Sequence, residues 1–218
     1  RAEPVERRRV VGGEPTAPED VRRLAHARVG RGVHGANVAR RGRDAHFLVA
    51  PRAARQDAPT VALSRFGIDA TWLRPDRYSG AERYAVELVR ALARLAPGEL
   101  VLFARPDLPP ALAAVDVERH ETQLIGRLPL DQAWLPWAAV RARVNLLHTL
   151  ASPVPLLWRG PSAMTVHDAT PWLDPDAADT GTRWYVRPLY PQALARADVV
   201  FTPSEAARED LVRAAGAP

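Results

Sequence analysis

The sequence predicts an α/β domain in which a mostly parallel sheet carries helices on both faces, and three observations predict it. Short apolar runs recur along residues 65–218 with helical segments between them. The runs are apolar throughout rather than alternating, as strands buried on both faces are. The clearest helical segment is amphipathic, with one face to bury against a sheet.

FGIDATWL (66–73) is the first buried strand, and RPDRYSG follows as a loop. In AERYAVELVRALARLAP (81–97), Tyr84, Leu88, Leu92 and Leu95 make one stripe of a helix, with Glu82, Arg83, Glu87, Arg90 and Arg94 pointing elsewhere. Arg83 and Glu87 stand at i,i+4 spacing for an ion pair, and Pro97-Gly98 ends the helix. ELVLFARP (99–106) and VERHETQL (117–124) read as the next two strands. PLDQAWLPWAAVRAR (129–143) reads as helical despite Pro136. VNLLHTLAS (144–152), SAMTVHD (162–168) and ADVVFTPS (197–204) are further strands. TRWYVRPLYPQALARA (182–197) predicts a helix kinked at Pro188 or Pro191. SEAAREDLVRAAG (204–216) closes the pattern, with Ser204 as N-cap and Gly216 as C-cap.

Residues 1–64 differ in texture. Phe47 is their only aromatic residue up to position 60, and arginines cluster in ERRRV and ARRGRD. All 30 basic residues of the chain are arginine, an excess that with abundant Ala and Pro reflects base composition more simply than chemistry. Residues 1–60 carry 13 Arg against 7 acids, a balance of +6; the remaining 17 Arg face 18 acids, a balance of −1. The net charge of +5 therefore belongs to the first segment, and no nucleic-acid partner is predicted for the rest. The first segment is expected to be disordered or foreign to the fold. Its Gly30, Gly32 and Gly35 match a dinucleotide-binding spacing, but no strand precedes them and Gly42 soon breaks the helix that the motif requires after it. The absence of cysteine excludes a disulfide framework and any Cys-based zinc or redox site. No apolar run is long enough to cross a bilayer, so a cytoplasmic location is the expectation.

In parallel sheets, ligands bind beyond the carboxyl ends of the strands, and the polar residues there are the functional candidates. Gly80, between a strand and a helix, would let backbone approach a phosphate or sugar hydroxyls, or would simply make the turn. His148 and Thr149 end one strand, with Ser152 nearby. His167 and Asp168 end another, and three roles are open for them: metal binding, acid/base chemistry, or closing the strand. Adjacent side chains on a strand point to opposite faces, which disfavours joint chelation of a metal. A hydrogen-bonding or general acid/base role for His167, with Asp168 capping the turn into TPWLDP, is chemically easier. Ser204 is an N-cap whose hydroxyl could also face a cleft.

FGIDATWLRPDRYSGAERYAVELVRALARL, then MTVHDATPWLDP, then RPLYPQALARADVVFTPSEAAREDLVRAAGAP resemble, in this order, the N-terminal domain of the large, family-4-like group of retaining glycosyltransferases. The resemblance spans residues 65–218. It implies a Rossmann-like domain, the acceptor-side half of a GT-B fold, which moves a sugar from a nucleotide-diphosphate sugar to a hydroxyl acceptor, a glycan or glycolipid. It implies a catalytic-site role for His167 at the donor sugar. It places Gly80 and Ser204 on the donor side, and His148, Thr149 and Asp168 as substrate-binding residues. It implies no bound cofactor and no metal, and admits peripheral association with the inner face of a membrane. Many relatives have a second glycine in the loop where this chain has Ala81-Glu82. The donor-binding C-terminal domain of such enzymes is absent from these residues, so the segment is expected to be half an enzyme, inactive alone. A non-catalytic Rossmann-like binding module and, more remotely, an HD-type metal phosphohydrolase are the alternatives.

Overall fold

A computed structural model describes residues 46–48, 65–77, 79–174, 184–185 and 187–215. Among these residues seven strands form one sheet: β1 (His46–Leu48), β2 (Phe66–Asp69), β3 (Leu100–Ala104), β4 (Glu118–Glu121), β5 (Leu146–Thr149), β6 (Ser162–Thr165) and β7 (Val199–Thr202). Their order across the sheet is β1-β7-β6-β5-β2-β3-β4. β2 to β7 run parallel, and β1 pairs antiparallel with β7 through Phe47 opposite Phe201. The helices are α1 (Gly80–Leu95), α2 (Pro110–Ala113), α3 (Arg127–Pro129), α4 (Leu135–Arg141), α5 (Thr170–Leu173), α6 (Arg187–Arg196) and α7 (Glu205–Ala215). A π-helical turn, Leu130–Trp134, joins α3 to α4.

This is the Rossmann-like arrangement the sequence predicts, and β3 shows why continuous apolar runs produce it. Leu100, Leu102 and Ala104 pack with Val86, Val89 and Leu92 of α1 on one face. Val101 and Phe103 pack on the other, against Leu135 and Ala139 of α4 and, deeper in the cluster, Ala193 and Leu211. A parallel strand with helices on both sides has no polar face to show. Gly67 belongs to this packing: a Cβ there would lie 2.7 Å from the Phe103 ring.

Among the described residues, the first segment meets the fold at His46–Leu48. His46–Leu48 are part of the sheet, so these three residues are not foreign to it; the rest of residues 1–64, with Gly30, Gly32 and Gly35, lies outside the described residues, as does Gly216. Pro191 lies inside α6, and the π-turn precedes Pro136. A proline ring presses on the carbonyl four residues back and offers no N–H to it. Widening the turn relieves this contact: the amide of Leu135 reaches back to the carbonyl of Leu130.

Two details of α1 depart from its sequence reading. Glu82 is buried rather than turned to solvent, because Ser79 N donates to its Oε2 (2.7 Å) and the Ser79 hydroxyl bonds the same carboxylate, forming a capping box. Burial raises the Glu82 pKa, but these two bonds outweigh it and the net shift is downward. Glu87 pairs with Arg90 (3.3 Å).

Candidate functional site

The chain leaves β2 for β3 and β4 on one side, then returns to lay β5, β6 and β7 on the other. The order reverses between β2 and β5, so their carboxyl ends diverge around the crevice where open α/β sheets bind ligands. Two groups of polar residues occupy this region.

The first surrounds His167. This residue follows β6, is partly buried, and its Nε2 lies 2.8 Å from the carbonyl oxygen of Leu150. A carbonyl only accepts, so Nε2 carries the proton and donates; the neutral ring keeps Nδ1 as an acceptor. Burial lowers the His167 pKa, with the Leu150 bond and the charges of Asp168 and Glu82 opposing, so the neutral form is favoured. Tyr84 of α1 sets its ring edge-on to His167, centroids 5.3 Å apart, and its hydroxyl reaches Thr165. Thr165 Oγ1 also lies 2.9 Å from His148 Nε2. Through Tyr84 and Thr165 the structure thus brings the helix that starts at Gly80 together with His148 and His167.

The other predicted residues occupy different settings. His148 does not project from the strand end: it is buried, lies beside Phe201 (5.1 Å between rings), and burial, with His167 adding, pushes its pKa down to about 3. Thr149 is fully buried, and its hydroxyl has no hydrogen-bond partner among the described residues. Asp168 is exposed, and its Oδ1 accepts the amide of Thr170 (2.9 Å), closing its own turn. His167 and Asp168 therefore engage different groups and do not converge on one point. Gly80 is exposed at the start of α1, with open space where a Cβ would stand. Ser204 caps α7, its Oγ accepting the amide of Ala207 (3.1 Å). Among the described residues, no group of three His, Asp or Glu side chains is placed to hold a metal ion.

The second group was not singled out in the sequence. Asp69 ends β2 directly opposite Thr149 of β5. Its Oδ1 accepts both the amide (3.0 Å) and the hydroxyl (2.6 Å) of Thr71, while Oδ2 has no hydrogen-bond partner among the described residues. Asp131, in the π-turn, is equally buried, and neither of its oxygens accepts a well-formed hydrogen bond among those residues. Arg127 supplies the counter-charge: its Nε lies 3.3 Å from Asp131 Oδ2, its Nη2 donates to Ser152 Oγ (3.0 Å), and its guanidinium stands 5.8 Å from the Tyr185 ring. Burial raises the Asp69 pKa, with the Thr71 bonds and the Arg127 charge opposing. Burial and then the Asp69 charge push Asp131 up to about 7, against Arg127. Both carboxyls are thus raised above their ordinary range, and Asp131 is the one brought to neutrality. Gln132 ties the turn to its surroundings, accepting the amide of Leu156 (2.8 Å) and donating to the Tyr185 hydroxyl (3.1 Å).

A family model described as Glycosyltransferase Family 4 matches residues 78–218, well over half of the chain. No curated protein and no solved structure matches it.

Proposed function

Because the chain belongs to glycosyltransferase family 4, we propose that it transfers a sugar from a nucleotide-diphosphate donor to a hydroxyl acceptor, with retention of configuration, and that His167 contacts the donor sugar. Family membership supports glycosyl transfer as the activity class. The observation that carries the residue assignment is the setting of His167: fixed at Nε2 by Leu150, neutral by burial, and left with Nδ1 as an acceptor at the carboxyl end of the sheet. A neutral imidazole with one bound N–H accepts a hydrogen bond from a sugar hydroxyl without placing a charge beside it. In the transfer, the acceptor oxygen bonds to the anomeric carbon as the bond to the diphosphate oxygen breaks. The acceptor's proton leaves with the diphosphate.

On this reading the nucleotide sugar is a substrate, and no resident cofactor or metal takes part. Gly80 and Ser204 lie on the donor side. Asp168 acts by shaping the turn after His167. His148 and Thr149, sealed beneath the surface, act through Thr165 and the strand rather than by touching substrate.

The test is an assay of the full-length gene product against a panel of UDP-, GDP- and ADP-sugars with hydroxyl acceptors, following nucleoside diphosphate release. His167→Ala is expected to lower kcat/KM about 100-fold, comparable to the loss of a good polar contact to the transition state, with cooperative unfolding retained at a lower temperature because the Leu150 carbonyl loses its donor. An unchanged rate removes His167 from the site. Failure of the unsubstituted protein to turn over any donor removes the reaction, and the anomeric coupling of the product by proton NMR decides retention.

A further inference from the structure

Three arginines stand where the chain leaves adjacent strands on one side of the crevice. Arg74 lies in the loop after β2, Arg105 directly follows β3, and Arg127 comes shortly after β4. These strands are neighbours in the sheet, whereas His167 and Ser204 follow β6 and β7, beyond β5. Gathering guanidinium groups is costly, because like charges repel and each group has five N–H donors to satisfy.

Each of the three is fixed by bonds that leave much of its charge in place. Asp69 shapes the turn after β2 by accepting from Thr71, and the amide of Leu73 donates to the Ala70 carbonyl (3.1 Å). On that turn Arg74 Nη1 donates to the carbonyls of Thr71 (3.2 Å) and Leu73 (3.0 Å). Arg105 Nη2 donates to the carbonyl of Leu124 (2.9 Å). A carbonyl orients a guanidinium but brings no counter-charge. Arg65, Arg90, Arg208 and Arg213 each pair with a carboxylate, whereas Arg74 and Arg105 form no ion pair among the described residues. Arg127 meets the Ser152 hydroxyl and Asp131, and that acid, with its pKa of about 7, cancels only part of the charge at neutrality. The three fields overlap: after burial, the charges of Arg105, Arg77 and Arg127 lower the Arg74 pKa, with Asp107 opposing.

We propose that Arg74, Arg105 and Arg127 hold a phosphate group on the hydroxyl acceptor, which makes the acceptor a phosphorylated compound and not a neutral one. The acceptor role rests on the glycosyl-transfer reading; the phosphate follows from the arginines themselves. A guanidinium matches phosphate oxygens two at a time, and a phosphate has enough oxygens to serve more than one such group. Guanidiniums already held by carbonyls and by Ser152 lose little further freedom on binding. The acceptor is the source favoured over the donor diphosphate, because His167 and Ser204, assigned to the donor, stand on the other side of the crevice.

The test titrates the full-length gene product with glycerol 3-phosphate, glycerol and UDP by calorimetry, and compares transfer to phosphorylated acceptors and to their neutral counterparts. Glycerol 3-phosphate is expected to bind at least ten-fold tighter than glycerol, and less tightly as salt is added. Arg74→Gln with Arg105→Gln should weaken it at least ten-fold, and Arg74→Lys with Arg105→Lys, which keeps the charges, should recover part of the loss. Both positions are partly exposed, so unfolding should stay cooperative in these variants. In transfer, the glutamine variant should raise KM for the phosphorylated acceptor at least ten-fold and leave KM for the donor unchanged. No binding of glycerol 3-phosphate, equal binding by the glutamine variant, or equal transfer to phosphorylated and neutral acceptors overturns the proposal while glycosyl transfer stands. So does displacement of glycerol 3-phosphate by UDP, because the arginines then serve the donor diphosphate. Arginine-dependent phosphate binding without turnover of any donor instead removes the glycosyl-transfer reading and the acceptor role with it.

Discussion

The two polar groups at the carboxyl end of the sheet solve burial in opposite ways. Around His148 and His167 the rings stay neutral, and both Nε2 atoms have partners, Thr165 and Leu150. Around Asp69 and Asp131, Asp69 Oδ2 and both Asp131 oxygens lack a well-formed hydrogen bond among the described residues, and Arg127 stands beside Asp131 as counter-charge. Neutral groups need only hydrogen bonds, whereas buried charges need counter-charge or a proton. The histidine group therefore stays neutral and resists protonation as pH drops, while the aspartate group carries a free-energy cost that a bound proton relieves.

The strongest way to break this comparison is to remove the Arg127 counter-charge. Arg127→Met is expected to cost about 2 kcal/mol at pH 8, at the low end for a broken buried pair because the Arg127 side chain is 43% exposed. At pH 5, where Asp131 holds a proton, the cost should be clearly smaller; equal losses at both pH values in urea unfolding would contradict a raised Asp131 pKa.

The next effect is a pair of opposed pH slopes. Asp131 has a folded pKa of about 7 against an ordinary 3.8, so between about pH 4 and pH 7 the unfolded chain gives up its proton first and stability falls as pH rises. His148 has a folded pKa of about 3 against 6.5, so over about pH 3 to 6.5 the unfolded chain takes up its proton first and stability falls as pH drops. In the unsubstituted protein the two contributions offset each other between about pH 4 and 6.5. Asp131→Asn should expose the histidine slope and raise stability at pH 8 by about 1 kcal/mol. His148→Gln, which keeps a donor for Thr165, should expose the aspartate slope. Parallel pH profiles for the two variants would sink the comparison.

The smallest expected effect is at Gly80. Nothing lies within 4 Å of a Cβ there, so Gly80→Ala should shift stability by no more than about 0.5 kcal/mol. If transfer nevertheless falls more than ten-fold, the glycine is needed for a ligand's approach and not for the turn.

The sheet was legible in the sequence because strands buried on both faces announce themselves as unbroken apolar runs, and most of its parallel strands do. His167 and Asp168 were legible as a strand end for the same reason. Glu82 was misread as a solvent-facing acid, although the Ser79-x-x-Glu82 spacing carried the signal of a capping box. Asp131 had no such signal. Its burial depends on Arg127 and on the distant Asp69 and Tyr185, and a helical acid among apolar residues looks the same in sequence whichever way it faces. His148 was placed at the right strand end, but its depth depends on Phe201 and Thr165 across two neighbouring strands, which spacing alone does not reveal.

The two rims of the sheet are built from very different strands. β4 bears the open ladder on one rim, and its sequence Glu-Arg-His-Glu is charged and largely exposed, a poor template for another chain. β7 is Val-Val-Phe-Thr and has no such protection of its own; His46–Leu48 lie along it and occupy its outward amides and carbonyls. A domain cut to begin at Arg65 would keep the family-matched region intact yet uncover the more adhesive rim. The three residues that cover this strand lie in the part of the chain that looked least like a fold.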